Sequence, residues 1–256
     1  MDQKNTIIKR RAMTSENARM VRQRGHDAEK EFACIIGGKT HGSGKKKDVI
    51  DKRGDIHSVK SGEKKWQIFL YGYNRLMTDI DFQGSNFLRD CLNCFPSSRD
   101  KYLLNKIKFK ELLTIAMKNL SKYLNKGQNK IIFFKKAFLN NGEVDYLTIK
   151  ENHQFHVFDG YEAIEALDNS TTISNSKAKR IGQMDAQKVI FILINKGVTI
   201  GEIELRNDSD VHYREIKFWM SREKTLNLLK NKINKIKIKY NNVLVHGRAI
   251  SKFQEL

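Results

Sequence analysis

Gly25-His26-Asp27-Ala28-Glu29-Lys30-Glu31-Phe32, then Gly42-Ser43-Gly44-Lys45-Lys46-Lys47-Asp48-Val49-Ile50, then His57-Ser58-Val59-Lys60-Ser61-Gly62 are the three stretches on which the reading of this chain turns. In the first, apolar residues recur at helical spacing through Ile35 and Ile36, and Gly37-Gly38 stops the helix. Thr14-Ser15-Glu16-Asn17 offers capping residues ahead of it. The second is a basic, glycine-rich turn leading into a short strand, Val49-Ile50, and the third follows a turn at Lys52-Arg53-Gly54 and makes a strand from Ile56 to Lys60. Trp66 to Tyr71 reads as one more strand, so the spacing predicts a helix followed by an antiparallel meander.

Residues two apart on a strand share a face, which puts Ser58 and Lys60 on the side of Ile56 and turns Val59 toward a core. A hairpin turn at Gly54 brings that polar face beside Asp48. An acid on a helix, an acid at a strand start and a lysine on the next strand are what phosphodiester hydrolysis needs. A carboxylate can hold a hard cation, and an ammonium can steady the growing charge on the phosphate.

This order resembles the core of the PD-(D/E)xK nuclease superfamily, over residues 25 to 71. Its opening, a glycine, Ala28-Glu29 and a Gly-Ser turn ahead of Asp48, is similar to that of archaeal Holliday junction resolvases. The resemblance implies that Glu29 is the helix carboxylate, Asp48 the principal metal ligand, Lys60 the catalytic lysine and the Val59 carbonyl a further oxygen ligand for Mg²⁺. Ser58 departs from the pattern, since the superfamily usually carries Glu or Asp there and a hydroxyl is a poorer ligand for a hard cation. Some restriction endonucleases of the superfamily likewise carry Ser-x-Lys and recruit a carboxylate from a neighbouring helix, which gives Glu29 added weight. Asp55, Gln67 and Asp79 are reserve candidates; Gln67 could orient water or a ligand from a neighbouring strand, though a buried, hydrogen-bonded sheet residue is the favoured reading.

Composition agrees with a polyanionic partner. Lysine and arginine number 48 against 29 acids, a formal charge of +19, thickened at Lys9-Arg10-Arg11, at Lys45-Lys46-Lys47 and between Lys230 and Lys239. No apolar run reaches the roughly 18 residues a membrane span requires, and Met1 to Arg11 is too polar for a secretory signal, so a cytoplasmic protein is expected. Cys34, Cys91 and Cys94 are too few for a disulfide framework, and Cys91 and Cys94 are half a zinc site without a second pair.

Farther along, the sequence predicts an irregular region from Gly84 to Ser98 and a long amphipathic helix from Tyr102 to Leu124. It predicts a hairpin of Ile131 to Phe134 with Tyr146 to Ile149 across Asn140-Asn141-Gly142, a third strand at His156 to Phe158 and a short helix from Glu162 to Leu167. A Ser/Thr/Asn-rich loop from Asn169 to Asn175 follows, with Lys177-Ala178-Lys179-Arg180 after it. Strands at Val189 to Ile194, Val198 to Leu205 and Tyr213 to Phe218 and a basic helix from Arg222 to Lys237 complete the chain. The expected fold is α/β or α+β, a restriction-endonuclease-like mixed sheet flanked by helices in one elaborated domain. Residues 25 to 75 form its catalytic core segment, and residues 98 to 256 carry DNA recognition and dimerisation.

Glu143 and Asp145 in a turn and Glu202 and Glu204 on a strand are further acid pairs, better explained as solvated or salt-bridged. His26, His57 and His153 pair with no nucleophile, and no Gly-x-x-x-x-Gly-Lys-[Ser/Thr] motif occurs. What the resemblance implies, with the basic charge, is a type II restriction endonuclease: a Mg²⁺-dependent homodimer acting on double-stranded DNA beside a companion methyltransferase. A junction resolvase and a non-catalytic nucleic-acid-binding protein are the alternatives.

Overall fold

The computed structural model describes residues 15–41, 47–62 and 64–253. The basic run at residues 9–11, Thr14 and the glycine-rich turn at residues 42–46 lie outside them. The fold is α+β, with two sheets flanked by helices. Helix α1 (Ser15–Ile36) leads into strands β1 (Lys39–Thr40), β2 (Val49–Ile50), β3 (Ile56–Lys60) and β4 (Lys65–Gly72). Helices α2 (Tyr73–Thr78), α3 (Ser85–Asn93), α4 (Arg99–Leu104), α5 (Lys106–Leu124) and α6 (Asn129–Leu139) follow. Then come β5 (Tyr146–Glu151), β6 (Gln154–Asp159), α7 (Gly160–Ser170), β7 (Thr171–Asn175), β8 (Lys188–Leu193), β9 (Thr199–Arg206) and β10 (Glu215–Ser221). The described chain closes with α8 (Arg222–Lys232), β11 (Ile236–Tyr240), β12 (Val243–His246) and α9 (Ala249–Lys252).

The first sheet is mixed, in the order β1-β2-β3-β5-β6-β12-β11, with β3 parallel to β5 and β6 parallel to β12. It is apolar on both faces. Val49, Val59, Tyr146, Phe155 and Val157 pack with Phe32, Ala33 and Ile36 of α1 in a smaller core. Leu147, Ile149 and Phe158 join a larger core built on the antiparallel second sheet, β4-β10-β9-β8-β7, and the helices between. Burying both faces is what a strand with a parallel neighbour requires, and it explains the near-continuous apolar run of β5.

Five features depart from the expectation. Strand β4 leaves the meander: it pairs with β10, Phe69 opposite Phe218, because Trp66, Ile68 and Phe69 fill the larger core. Ile131 to Phe134 belongs to a helix, since the apolar run extends to Phe133, Phe134, Ala137 and Phe138 at helical spacing, all buried. Asn140-Asn141-Gly142 ends that helix, with positive φ at all three residues, instead of turning a hairpin. Thr171–Asn175 is an edge strand, its β-branched residues fitting a half-buried sheet. Helix α8 stops at Lys232, and Ile236–Tyr240 alternates apolar and lysine residues along the edge of the first sheet, where lysine discourages further pairing. Smaller differences are a break at Asn105 between α4 and α5 and the amphipathic α3 inside the region read as irregular. Among the described residues no helix is long and apolar enough to cross a membrane.

Candidate active site

The β2–β3 hairpin sets the site. Gly54 takes φ 90° in its turn, a conformation that favours glycine, and Asp51 Oδ1 accepts from the backbone N–H groups of Arg53 and Asp55 at 2.8 and 2.9 Å. Val49 pairs with His57 and Ile50 with Ile56, so the register carries Asp48 opposite Ser58. The backbone of Asp48 is held on both sides, its N–H donating to His57 and its carbonyl accepting from His41. Behind the hairpin, α1 closes in: a Cβ on Gly38 would lie 2.5 Å from the Ile50 carbonyl, so only glycine lets the helix exit pass that close.

One oxygen of Asp48 collects three donors. Oδ2 accepts from the Val59 N–H at 2.7 Å, from Ser58 Oγ at 3.3 Å and from Lys60 Nζ at 3.3 Å. Lys60 Nζ also donates to Ser58 Oγ at 2.6 Å and to the Val59 carbonyl at 3.3 Å. Among the described residues Oδ1 of Asp48 accepts no hydrogen bond. The serine hydroxyl thus bridges the carboxylate and the ammonium.

Glu29, on α1, lies near enough to Asp48 and Lys60 for their charges to act on it. Burial, and after it the negative charge of Asp48, push its carboxyl above the usual carboxylate range, while the bond and charge of His26 and the charge of Lys60 pull the other way. His26 Nδ1 lies 3.2 Å from Glu29 Oε2, a contact that sequence reasoning missed and that the i, i+3 helical spacing could have suggested. The side chains of Glu29, Asp48 and Lys60 are 19, 16 and 20% exposed, half-enclosed yet reachable.

Two carboxylates that repel one another, one of them with an oxygen unclaimed among the described residues, suit a hard divalent cation. Mg²⁺ is commonly held by one or two carboxylates and keeps several of its waters. Among the described residues no group of three or more His, Cys, Asp or Glu side chains is arranged to hold a metal ion, so a cation here would rely on this pair, the Val59 carbonyl and water.

The reserve candidates lie elsewhere. Asp55 sits near the turn end of the hairpin, where Tyr146 donates to it at 3.3 Å; burial first, then the charges of Asp51 and Asp145, raise its carboxyl. Gln67 is exposed on the second sheet opposite Trp219, away from the strand that neighbours the site. Asp79 forms a buried ion pair with Lys136 at 2.7 Å. Glu143 lies 3.9 Å from Lys47, Asp145 accepts from the Ile56 N–H, and Lys188 bridges Glu202 and Glu204 at 2.7 Å each. These are structural partners. His57 is fully buried against Phe32, Tyr146 and Phe253, bonded to Thr148 at 2.9 Å and 3.8 Å from Asp51. Burial opposes the charge of Asp51, but the contact with His57 and the two backbone donors outweigh it and hold its carboxyl low. Burial likewise pushes the thiol of Cys91 up, and that of Cys94 to about 11, leaving both protonated and inert.

Compared with models of protein families, with curated proteins and with solved structures, the chain matches none.

Proposed function

We propose that this chain is a Mg²⁺-dependent endodeoxyribonuclease of the PD-(D/E)xK type, and specifically a type II restriction endonuclease that works as a homodimer on a short duplex sequence. One observation carries the reading: Lys60 Nζ, Ser58 Oγ and Asp48 Oδ2 are mutually hydrogen-bonded on one hairpin, and Glu29 is close enough for the charge of Asp48 to raise its carboxyl. The helix, the antiparallel hairpin with its acid and its lysine, and the parallel strand beside it supply the frame. A charge of +19 supplies the attraction to DNA.

In this reading Asp48 and Glu29, with the Val59 carbonyl, would hold the cation, whose chemistry when bound would be to neutralise the phosphate and polarise it toward attack. Lys60 points its ammonium at the phosphate oxygens and offsets the charge that grows on them. Ser58 Oγ, 2.6 Å from Nζ, keeps Lys60 from collapsing wholly onto Asp48. The Val59 N–H, 2.7 Å from Oδ2, fixes the rotamer of Asp48. A companion methyltransferase that protects the same sequence belongs to the proposal.

Digestion of linear phage DNA with Mg²⁺ tests it. Discrete fragments whose ends share one short sequence are expected. Cutting of a four-way junction with linear duplex left intact would place the chain with structure-selective nucleases. Retardation on a gel without hydrolysis would make it a binding protein.

A further inference from the structure

Beside the carboxylate pair lies a second concavity of about 370 Å³. Ala28 and Ser61, the chain neighbours of Glu29 and Lys60, form part of its wall. Three cations from distant parts of the chain line it: Arg24 on α1, Lys150 on β5 and Arg222 at the start of α8. Asp27 is the sole acid among the lining residues, Lys150 is in addition ion-paired with Glu31 of α1, and Ser61 and Asn152 add neutral hydrogen-bonding groups.

The fold converges these cations by specific means. Lys60 pairs in register with Ile149, which makes Lys150 the next residue along the neighbouring parallel strand. Arg222 donates from Nη1 to the Lys150 carbonyl at 3.4 Å, and its own N–H is bound to the Lys64 carbonyl, tying the head of α8 to this end of both sheets. The positive end of the α8 dipole adds to the field. A phosphate lying against these side chains would be drawn by the positive charge that the fold gathers there. A planar guanidinium is suited to a phosphate's paired oxygens.

We propose that this concavity is a second phosphate subsite, which holds the phosphodiester adjacent to the one cut. The inference rests on the nuclease reading and deepens it. The substrate is then a polynucleotide strand that continues past the scissile bond on the side of Arg24 and Arg222, and this contact positions the strand for the Asp48–Lys60 pair.

Duplex binding by the full chain, measured by fluorescence anisotropy in EDTA across a salt series, tests it with Arg222→Gln, Arg24→Gln and the double variant. Each single change is expected to weaken binding roughly three- to tenfold near 0.1 M salt and to cut the salt slope by about one. Because both side chains serve one phosphate, the double variant should lose little more slope than either single. Lys118→Gln, exposed on α5, should leave slope and affinity at the wild-type values. Once the cut position is mapped, a duplex with one neutral methylphosphonate next to the cut should bind wild type and Arg222→Gln alike.

If the wild-type chain binds and cuts duplex DNA while the arginine variants, folded by thermal melting, keep its slope and affinity, the subsite is overturned and the nuclease reading stands. Additive slope losses in the double variant, or a penalty from Arg222→Gln that persists on the methylphosphonate duplex, overturn the single adjacent phosphate. If the wild-type chain binds no nucleic acid, the nuclease reading itself fails.

Discussion

Lys60→Met removes the ammonium and keeps most of the side chain's apolar length. At 3.3 Å from Asp48 Oδ2, and with an effective dielectric near 20 for a half-enclosed site, the attraction is about 5 kcal/mol before desolvation and side-chain entropy are charged against it. Those costs are large for a pair that is neither exposed nor deeply buried, and the net loss expected is about 1–3 kcal/mol. For a chain of this size that corresponds to a fall in melting temperature of roughly 2–10 °C. Cleavage should fall by about 10³-fold or more, the scale seen when a preorganised charge-stabilising group is removed. The stability loss has a signature: with Lys60 gone, Glu29 and Asp48 repel without their cation, so millimolar Mg²⁺ should recover part of the melting temperature and none of the activity. Differential scanning fluorimetry with and without Mg²⁺, beside a cleavage assay, reads both. A variant that cuts at the wild-type rate, or that melts lower by an amount indifferent to Mg²⁺, would refute the argument.

Protonated Glu29 cannot hold a cation, and its carboxyl lies above the usual range because of burial and of Asp48, so cleavage should fade on acidification at a pH above that of an ordinary glutamate. Raising Mg²⁺ should move that limb to lower pH; a limb that stays in place under a tenfold change of Mg²⁺ removes Glu29 from the cation site. The buried pair of His156 and His246, 3.0 Å apart, sets acid stability: burial and then the neighbouring His156 depress His246 to about 4. The unfolded chain therefore binds the proton first. Stability holds above about pH 6.5 and is lost as pH falls toward 4, by up to about 3 kcal/mol from this group, so His246→Gln should flatten a urea-melt series over that window. Phe32 is fully buried between α1 and the first sheet, against His57 and Phe155, and Phe32→Ala should cost about 3–5 kcal/mol in the same melts; a loss under 1 kcal/mol would mean that α1 is not packed there.

Much of the site was legible because its logic is local. Asp48, Ser58 and Lys60 are joined by a tight turn, and a period of two with a glycine at the bend is enough to bring them to one face. Glu29 was legible through the helical pattern that ends at Gly37-Gly38. What could not be read is where strands go after leaving the hairpin. Trp66 to Tyr71 has the same alternation whether it returns to β3 or crosses to β10, and only the larger core decides that. Ile131 to Phe134 is as apolar as a strand, and the helix is settled by Ala137 and Phe138 packing farther on. The pocket of Arg24, Lys150 and Arg222 was out of reach for the same reason, since three cations far apart in the sequence, Lys150 and Arg222 being 72 positions apart, become neighbours only through sheet order.

The most direct test is cleavage of duplex DNA in Mg²⁺ by the wild-type chain, Asp48→Asn and Lys60→Ala, each shown to be folded by its melting curve. The account predicts cutting by the wild-type chain that EDTA abolishes and that both variants lack. Cutting that persists in EDTA, or in either variant at the wild-type rate, would contradict it.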